Sequence, residues 1–262
     1  MNTILENQTK KVNQQDLEKR VKDMYKKVAL QPEVEYHFEM GRKLAERVHY
    51  PSSTLDKIPS QAIDSFSGVG YYFDLAQLQE GEVAVDLGSG SGMDAFFAAT
   101  QVGKTGEVIG IDMTNEQLEK STHLRDAAGF NQVIFRKSYI EELPIMSNSV
   151  DTVISNGVIN LSSEKAKVFS EAARILKTGG RLAISDIVTE VQLPENITCD
   201  ATLWAACIGG AMQVDAYKQL IEDAGLEIVK VKDNPYAFIS NSAQGATKQY
   251  GIKSISILAV KK

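Results

Sequence analysis

The sequence is short of cysteine and histidine. Its two thiols, Cys199 and Cys207, have no CxxC pair and no histidine cluster beside them, and only three histidines occur in 262 residues. That pattern argues against a zinc site and against a disulfide framework, so no metal is expected and both thiols read as free. Positive charge is also in deficit. Lys and Arg number 28 against 34 Asp and Glu, a formal net charge of −6, and no basic stripe with interleaved aromatics offsets it, so no nucleic-acid partner is expected. Long apolar runs are absent too. Nothing approaches the roughly 20 residues that cross a bilayer, and the opening MNTILENQTKKVNQQDLEKR lacks the apolar core of a signal peptide. No transmembrane segment is expected, and the cytoplasm is the expected location.

What is present fits one large α/β domain with extensions: 43% hydrophobic and 24% charged residues over 262 positions. From residue 83 onward, β-type apolar runs alternate with helical patterns. The expected strands are VAVDL (83–87), EVIGID (107–112), QVIFRK (132–137), VDTVIS (150–155), GRLAISD (180–186), LEIVKVK (226–232) and KSISILAV (253–260). MDAFFAATQV, NEQLEKSTHLRDAAG, SEKAKVFSEAARIL and DAYKQLIEDAG between them carry apolar residues at helical spacing. Such alternation predicts a mostly parallel sheet with helices on both faces. Glycines in LKTGG and EDAGL stand where helices usually stop.

Ahead of this core, Leu17, Val21, Met24, Tyr25 and Val28 fall on one helical face, and Val34, Phe38, Ala45 and Val48 continue as a second helix. The expected organisation is an N-terminal helical extension over residues 1–57, able to pack on the core or to act as a lid, followed by an α/β domain over 58–262. A lid-like insertion at 187–213 contains LWAACIGGAMQ.

The chemistry concentrates in VAVDLGSGSGMDAF, residues 83–96. A strand that ends in a glycine turn and opens a helix offers backbone N–H groups and a positive dipole end to a ligand. The dinucleotide fingerprint G-x-G-x-x-G asks for a third glycine where this sequence has Met93. Asp86 would also repel a pyrophosphate, whereas it suits a ligand bearing an ammonium group. Asp112, at the end of the second strand, is placed to accept from ribose hydroxyls or, alternatively, to cap the next helix. Together these features favour S-adenosylmethionine as cofactor over a nicotinamide dinucleotide.

The motifs VDLGSGSGMD, GKTGEVIGIDMTNEQL, YIEELPIMSNSVDTVISNGVINL, KVFSEAARILKTGGRLAISDIV and LWAACIGGA resemble those of the class I S-adenosylmethionine-dependent methyltransferases, and the branch they are most similar to is that of the arsenite methyltransferases. The resemblance covers about residues 58–232. It implies a Rossmann-like seven-stranded, mostly parallel sheet whose last strand is antiparallel, and methyl transfer to a small-molecule acceptor. It also implies cofactor contacts from Asp86, Gly88, Ser89, Gly90 and Ser91 to the methionine part, from Asp112 and Met113 to the ribose and adenine edge, and from Ile140 and Glu141 to the adenine. Asn156, Gly157 and Ile159 would lie beside the cofactor.

On the acceptor side the sequence departs from that branch, which holds trivalent arsenic with several thiolates. Val69 and Gly157 occupy two of the cysteine positions, and only Cys207 matches a third. A lone thiolate does not build that chelate, so the expected acceptor is small and largely apolar, lined by Val69, Tyr71, Trp204 and Cys207. Methylation of arsenite or of a thiol-bound metalloid through Cys207 is one alternative; cofactor binding without catalysis is another. The transfer is an in-line displacement that needs alignment more than a fixed set of catalytic groups. If a general base is used, His37 and Tyr71 are the candidates, with Cys207 as the candidate thiol.

Overall fold

In the computed structural model the described residues are 14–36, 38–198, 208–239 and 241–262. One sheet organises them. Its strands are β1 (Val83–Leu87), β2 (Glu107–Asp112), β3 (Val133–Lys137), β4 (Val150–Asn156), β5 (Leu176–Thr189), β7 (Leu226–Asp233) and β8 (Lys253–Lys261), with a two-residue β6 (Met212–Gln213) beside β5. The order is β3-β2-β1-β4-β5-β8-β7. The first five strands run parallel, and β8 lies antiparallel to both β5 and β7. Strands covered on both faces must be apolar throughout, and Ala84, Val85 and Leu87 of β1 are accordingly buried.

Helices cover both faces. On one side α6 (Met93–Val102) and α7 (Asn115–Ala128) cover β1 to β3. Phe96 and Phe97 of α6 belong to the same apolar cluster as Leu44, Tyr50 and Leu55 of the N-terminal segment. On the other, Phe169 of α8 (Lys165–Ile175) and Tyr217 of α10 (Val214–Asp223) pack edge to face, 5.3 Å between ring centroids. A third cluster, with Val69, Ile187, Leu193, Ile208, Ala211 and Ile252, gathers beyond the end of β5. In an open α/β sheet the ligand crevice opens at the carboxyl ends of strands where their order reverses. Here that point lies between β1 and β4, and the glycine turn follows β1.

The N-terminal segment begins with α1 (Gln14–Leu30), which lies along α7. The contact is made by Lys26 to Glu116 (2.5 Å), by the Gln117 side chain to the Tyr25 carbonyl (2.8 Å) and by Lys120 to the Ala29 carbonyl (3.0 Å). Short helices follow: α2 (Gly41–Arg47), α3 (Ser52–Leu55), α4 (Ser60–Asp64) and α5 (Phe73–Ala76).

Three local expectations are corrected. The second N-terminal helix spans only Gly41–Arg47, so Val34 and Phe38 lie outside it. α8 stops at Ile175, directly before LKTGG, but β5 begins at Leu176 instead of Gly180, and its last residues, Ile187–Thr189, extend into the segment expected as an insertion. After α9 (Glu195–Thr198) and α10, a helix α11 (Asn241–Tyr250) stands between β7 and β8 where the apolar pattern signalled none.

Candidate functional site

β1 delivers Asp86 to the sheet end, and the next residues turn sharply. Gly88 (φ +71°), Gly90 (φ +52°) and Gly92 (φ +95°) all take left-handed backbone, a region that strains any residue with a Cβ. The Gly88 and Ser89 amides donate to the Ile111 carbonyl at 2.8 and 2.9 Å, tying the turn to β2. Asp112, at the end of β2, braces the same turn: one carboxylate oxygen accepts from the Gly90 amide (2.9 Å) and the other from the Thr114 amide (2.8 Å). Asp112 thus bonds the amide of Thr114, the N-cap residue of α7, and does not itself occupy the cap position.

Around this turn lies a cavity of about 490 Å³, a size ordinary for a small-molecule or cofactor site. The structure brings Asp86, Gly88, Ser89, Gly90, Ser91, Asp112, Met113, Ile140, Glu141 and Asn156 to its wall. It does not bring four others. Gly157 stands behind the wall with its amide on the Ser185 carbonyl (2.8 Å). Ile159 is buried in the core cluster shared with α8. Val69 is buried in the third apolar cluster. Tyr71 sits among Tyr50, Phe73 and Phe97 with Lys232 5.6 Å from its ring centre. Burial and the nearby Asp74 push the Tyr71 phenol up to about 12, which opposes a role as base near neutrality. His37, Trp204 and Cys207 lie outside the described residues. Val69 and Gly157 are neighbours in space: a Cβ on Gly157 would lie 3.3 Å from a Val69 methyl.

The cavity is anionic. Among its described lining residues Glu18, Asp86, Asp94, Asp112, Glu141, Glu142 and Glu164 face Lys167 as the one cationic side chain. One oxygen of Asp86 and the Ser89 hydroxyl are buried without a hydrogen-bond partner. Leaving such groups unpaired is costly, so the turn is shaped for a ligand with donors. Burial first, then the charges of Asp94 and Asp112, hold the Asp86 carboxyl well above the usual carboxylate range. Burial also raises Asp112, against the pull of the Thr114 and Gly90 amides. A pyrophosphate would meet repulsion here, while a ligand with an ammonium and a sulfonium meets attraction. The residues present thus fit S-adenosylmethionine better than a dinucleotide.

Several wall residues escape the sequence patterns. Glu18 joins Leu17, Val21 and Tyr25, from the apolar face already expected of this helix, and α1 forms one wall. Tyr139, in the loop after β3, donates to Glu18 (2.6 Å) and accepts from Lys22 (2.9 Å), while Lys22 also pairs with Glu18 (2.5 Å), fastening α1 to the loop that carries Ile140. Gln117, 1% exposed, accepts from the Ser91 hydroxyl at 2.6 Å. Asp94, on the first turn of α6, accepts from the Tyr50 and Tyr72 phenols (2.6 and 2.7 Å) and from Asn156 (3.1 Å). An acidic residue in a first helical turn ordinarily signals a dipole partner, and its phenol donors lie 44 and 22 residues away in sequence.

Comparison with known proteins gives the family. Residues 78–225 match the family described as "Methyltransferase domain", and residues 8–139 match "Protein-L-isoaspartate(D-aspartate) O-methyltransferase (PCMT)". An arsenite methyltransferase of Halobacterium salinarum is 39% identical over 75% of this chain and 51% of its own length. The arsenite methyltransferase of Homo sapiens is 44% identical over 49% of this chain and 36% of its own length. The chain thus spans about half or less of the length of these relatives. Among solved structures, an arsenic (III) S-adenosylmethionine methyltransferase from Chlamydomonas reinhardtii superimposes with a TM-score of 0.64 at 28% identity, covering 86% of this chain and 75% of that one. With its strand order, its glycine turn and the family match over residues 78–225, the chain belongs to the class I S-adenosylmethionine-dependent methyltransferases, and it is similar to arsenite methyltransferases among them.

Proposed function

We propose that the chain transfers the methyl group of S-adenosylmethionine to a small, largely apolar acceptor. The observation that carries the cofactor placement is the unpartnered oxygen of Asp86 beside the Gly88–Gly92 turn in an anionic cavity. In this reading Asp86 receives the ammonium of the methionine part, Ser89 and the turn amides border it, and Asp112 and Met113 face the ribose. Ile140 and Glu141 border the adenine, and α1 closes the cavity from above. The cofactor supplies an electrophilic methyl group. The chain's own residues align it, exclude water and hold the acceptor in line at a near-attack distance of ~3–3.5 Å. The apolar character of the acceptor is supported by the sequence, in which Val69 stands where the branch has a thiol ligand; the Val69 side chain itself packs into the cluster of Ile187, Leu193 and Ile208, off the cavity wall.

A second reading is methylation of a thiol-bound metalloid through Cys207. It is favoured by relatives named arsenite methyltransferases at 38–44% identity. Formation of S-adenosylhomocysteine separates the two when measured with arsenite plus glutathione and, in parallel, with a panel of small apolar phenols, thiols and carbon acids. Turnover with the panel alone supports the first reading. Turnover with arsenite that Cys207→Ala abolishes replaces it by the second. Absence of turnover with every acceptor, with binding retained, leaves a cofactor-binding protein.

Two expected results test the walls of the cavity. Asp112→Ala removes both a ribose partner and the brace on Gly90, and is expected to weaken S-adenosylmethionine binding roughly ten- to a hundredfold, as loss of a charge-assisted hydrogen bond implies. Unchanged affinity by calorimetry takes Asp112 out of the ribose site. Tyr139→Phe deletes the phenol bonds to Glu18 and Lys22 and keeps the ring. It is expected to speed release of S-adenosylhomocysteine several-fold in stopped-flow displacement with a smaller change in the association rate, because dissociation then needs α1 to lift from fewer contacts. An unaltered release rate means α1 does not gate the cavity.

A further inference from the structure

Two carboxyl groups stand side by side at the methionine end of the cavity and differ in one respect. Asp86, on β1, has an oxygen without a partner. Asp94, on α6, has both oxygens engaged: one by the Tyr50 phenol, the other by the Tyr72 phenol and the Asn156 amide. Asp94 and Asn156 come from α6 and β4, and Tyr50 and Tyr72 from the loops before α3 and α5. Asn156, at the end of β4, also donates to the Tyr50 phenol oxygen (3.0 Å) and holds the segment that leads to Val69. Its carbonyl oxygen accepts from the Val69 amide (2.7 Å), and its nitrogen donates to the Gly70 carbonyl (2.9 Å). The approach is close, since a Cβ on Gly68 would meet the Asn156 side chain at 2.6 Å. Gly68 and Asn156 both line the cavity, and Val69 turns its side chain into the neighbouring apolar cluster.

We propose that Asp94 is a positioning residue of the methyl-donor site: a fixed carboxylate that aims Asn156 at the 68–70 segment and leaves the free oxygen of Asp86 as the acceptor for the donor's ammonium group. The inference rests on the reading that the methionine end of the cofactor lies against Asp86. Its chemical basis is the division of donors. Burial raises the Asp94 carboxyl, and the bonds from Tyr50, Tyr72 and Asn156 draw it back toward ionisation, whereas Asp86 has the Ala95 amide alone to do so; two neighbouring carboxylates do not both ionise without a compensating cation. In the empty site the proton therefore stays on Asp86, and an arriving ammonium displaces it to solvent. The charged groups acting on Asp86 are Asp94 on α6 and Asp112 at the end of β2, all of one sign, with the Ala95 amide as its backbone donor. Tyr50 and Tyr72 are fully buried, and their phenols are held protonated by burial first and then by Asp94.

The test is calorimetric titration of the full chain with S-adenosylmethionine in buffers of different ionisation enthalpy, which counts protons released on binding. Wild type is expected to release a proton on binding at pH values between the ordinary carboxylate range and the raised folded value of Asp86. Asp94→Asn is expected to bind S-adenosylmethionine at least tenfold more weakly and to move the midpoint of proton release to lower pH, because Asp86 then faces Asp112 alone. Tyr72→Phe keeps both carboxyls and loses one donor. It is expected to weaken binding three- to tenfold with the proton count preserved, and it serves in place of Asp94→Asn if that variant does not fold. Unchanged affinity in the phenol variant, or an unchanged midpoint in a folded Asp94→Asn, overturns the proposal. Asp86→Asn distinguishes its failure from that of the underlying reading. If Asp86→Asn leaves affinity intact, the ammonium placement falls; if it weakens binding while the Asp94 and Tyr72 variants behave as wild type, only the role of Asp94 falls.

Discussion

Asp86→Asn is expected to weaken S-adenosylmethionine binding by roughly 10- to 150-fold, the range that follows from losing a charge-assisted hydrogen bond of ~1.5–3 kcal/mol, and to make the empty protein more stable. The two effects have one cause. The carboxyl is 2% exposed, one of its oxygens has no partner, and Asp94 and Asp112 oppose its ionisation. Its folded-state proton affinity is thus raised above that of the unfolded chain. A raised carboxyl binds more protons folded than unfolded, so the empty protein loses stability as pH climbs from the ordinary carboxylate range through the folded value of Asp86. An amide carries no such penalty. Thermal melts of the empty protein at pH 5 and pH 8 should show a smaller loss at high pH for the variant. Some slope will remain from Asp112 and from Asp186, which burial pushes up to about 6. The cofactor should raise the melting temperature of wild type more than that of the variant. Equal pH dependence in both proteins, with equal affinity, would show that Asp86 is not the group poised for the ligand.

The parts of this site that local chemistry dictates were legible in the sequence. β1, the Gly88–Gly92 turn and Asp112 form one short strand–turn unit and its neighbour, where spacing alone constrains the backbone. The strands buried on both faces announced themselves as apolar runs, and only β6, two residues long, lacked a signal. What stayed hidden depends on contacts between distant segments. Tyr50 and Asp94 meet across 44 residues, Tyr139 and Glu18 across 121. An isolated tyrosine or an acidic residue in a first helical turn carries nothing in its local pattern to announce such a partner. The same holds for placements that went astray: Ile159 follows the β4 loop closely enough to be expected at the cofactor, yet the turn at Ile159–Leu161 sends it into the core. LKTGG follows the stop of α8 at Ile175, yet β5 begins at once: pairing with β4 jumps from Leu176–Val150 to Arg181–Thr152, and Gly179 takes left-handed backbone (φ +78°) in the step between. Lys177 pairs with Asp151 and Arg181 with Glu82, both at 2.6 Å, on either side of that step.

Gly88→Ala is expected to produce the largest loss of stability of any conservative change at the site. The added methyl would stand 2.4 and 2.5 Å from the two methyls of Val158 and 2.9 Å from its Cβ, on a backbone with φ +71°. Left-handed strain contributes ~1–2 kcal/mol and overpacking ~1–3 kcal/mol. Together they take away a large share of the ~5–15 kcal/mol that holds a typical domain, and at ~2–4 °C per kcal/mol the melting temperature falls by roughly 5–20 °C. The two terms separate in a double variant. Val158→Ala removes both clashing methyls, so Gly88→Ala/Val158→Ala should regain most of the packing term and none of the backbone term, a coupling of ~1–3 kcal/mol in a double-mutant cycle. Cofactor binding supplies a third readout that stability alone does not. If the turn holds the methionine part against bare backbone, the methyl on residue 88 also stands where the ligand approaches. The double variant then melts near wild type while S-adenosylmethionine no longer raises its melting temperature. Recovery of both stability and binding would mean that the turn's glycine serves only to clear Val158, and that the methyl donor is held elsewhere in the cavity.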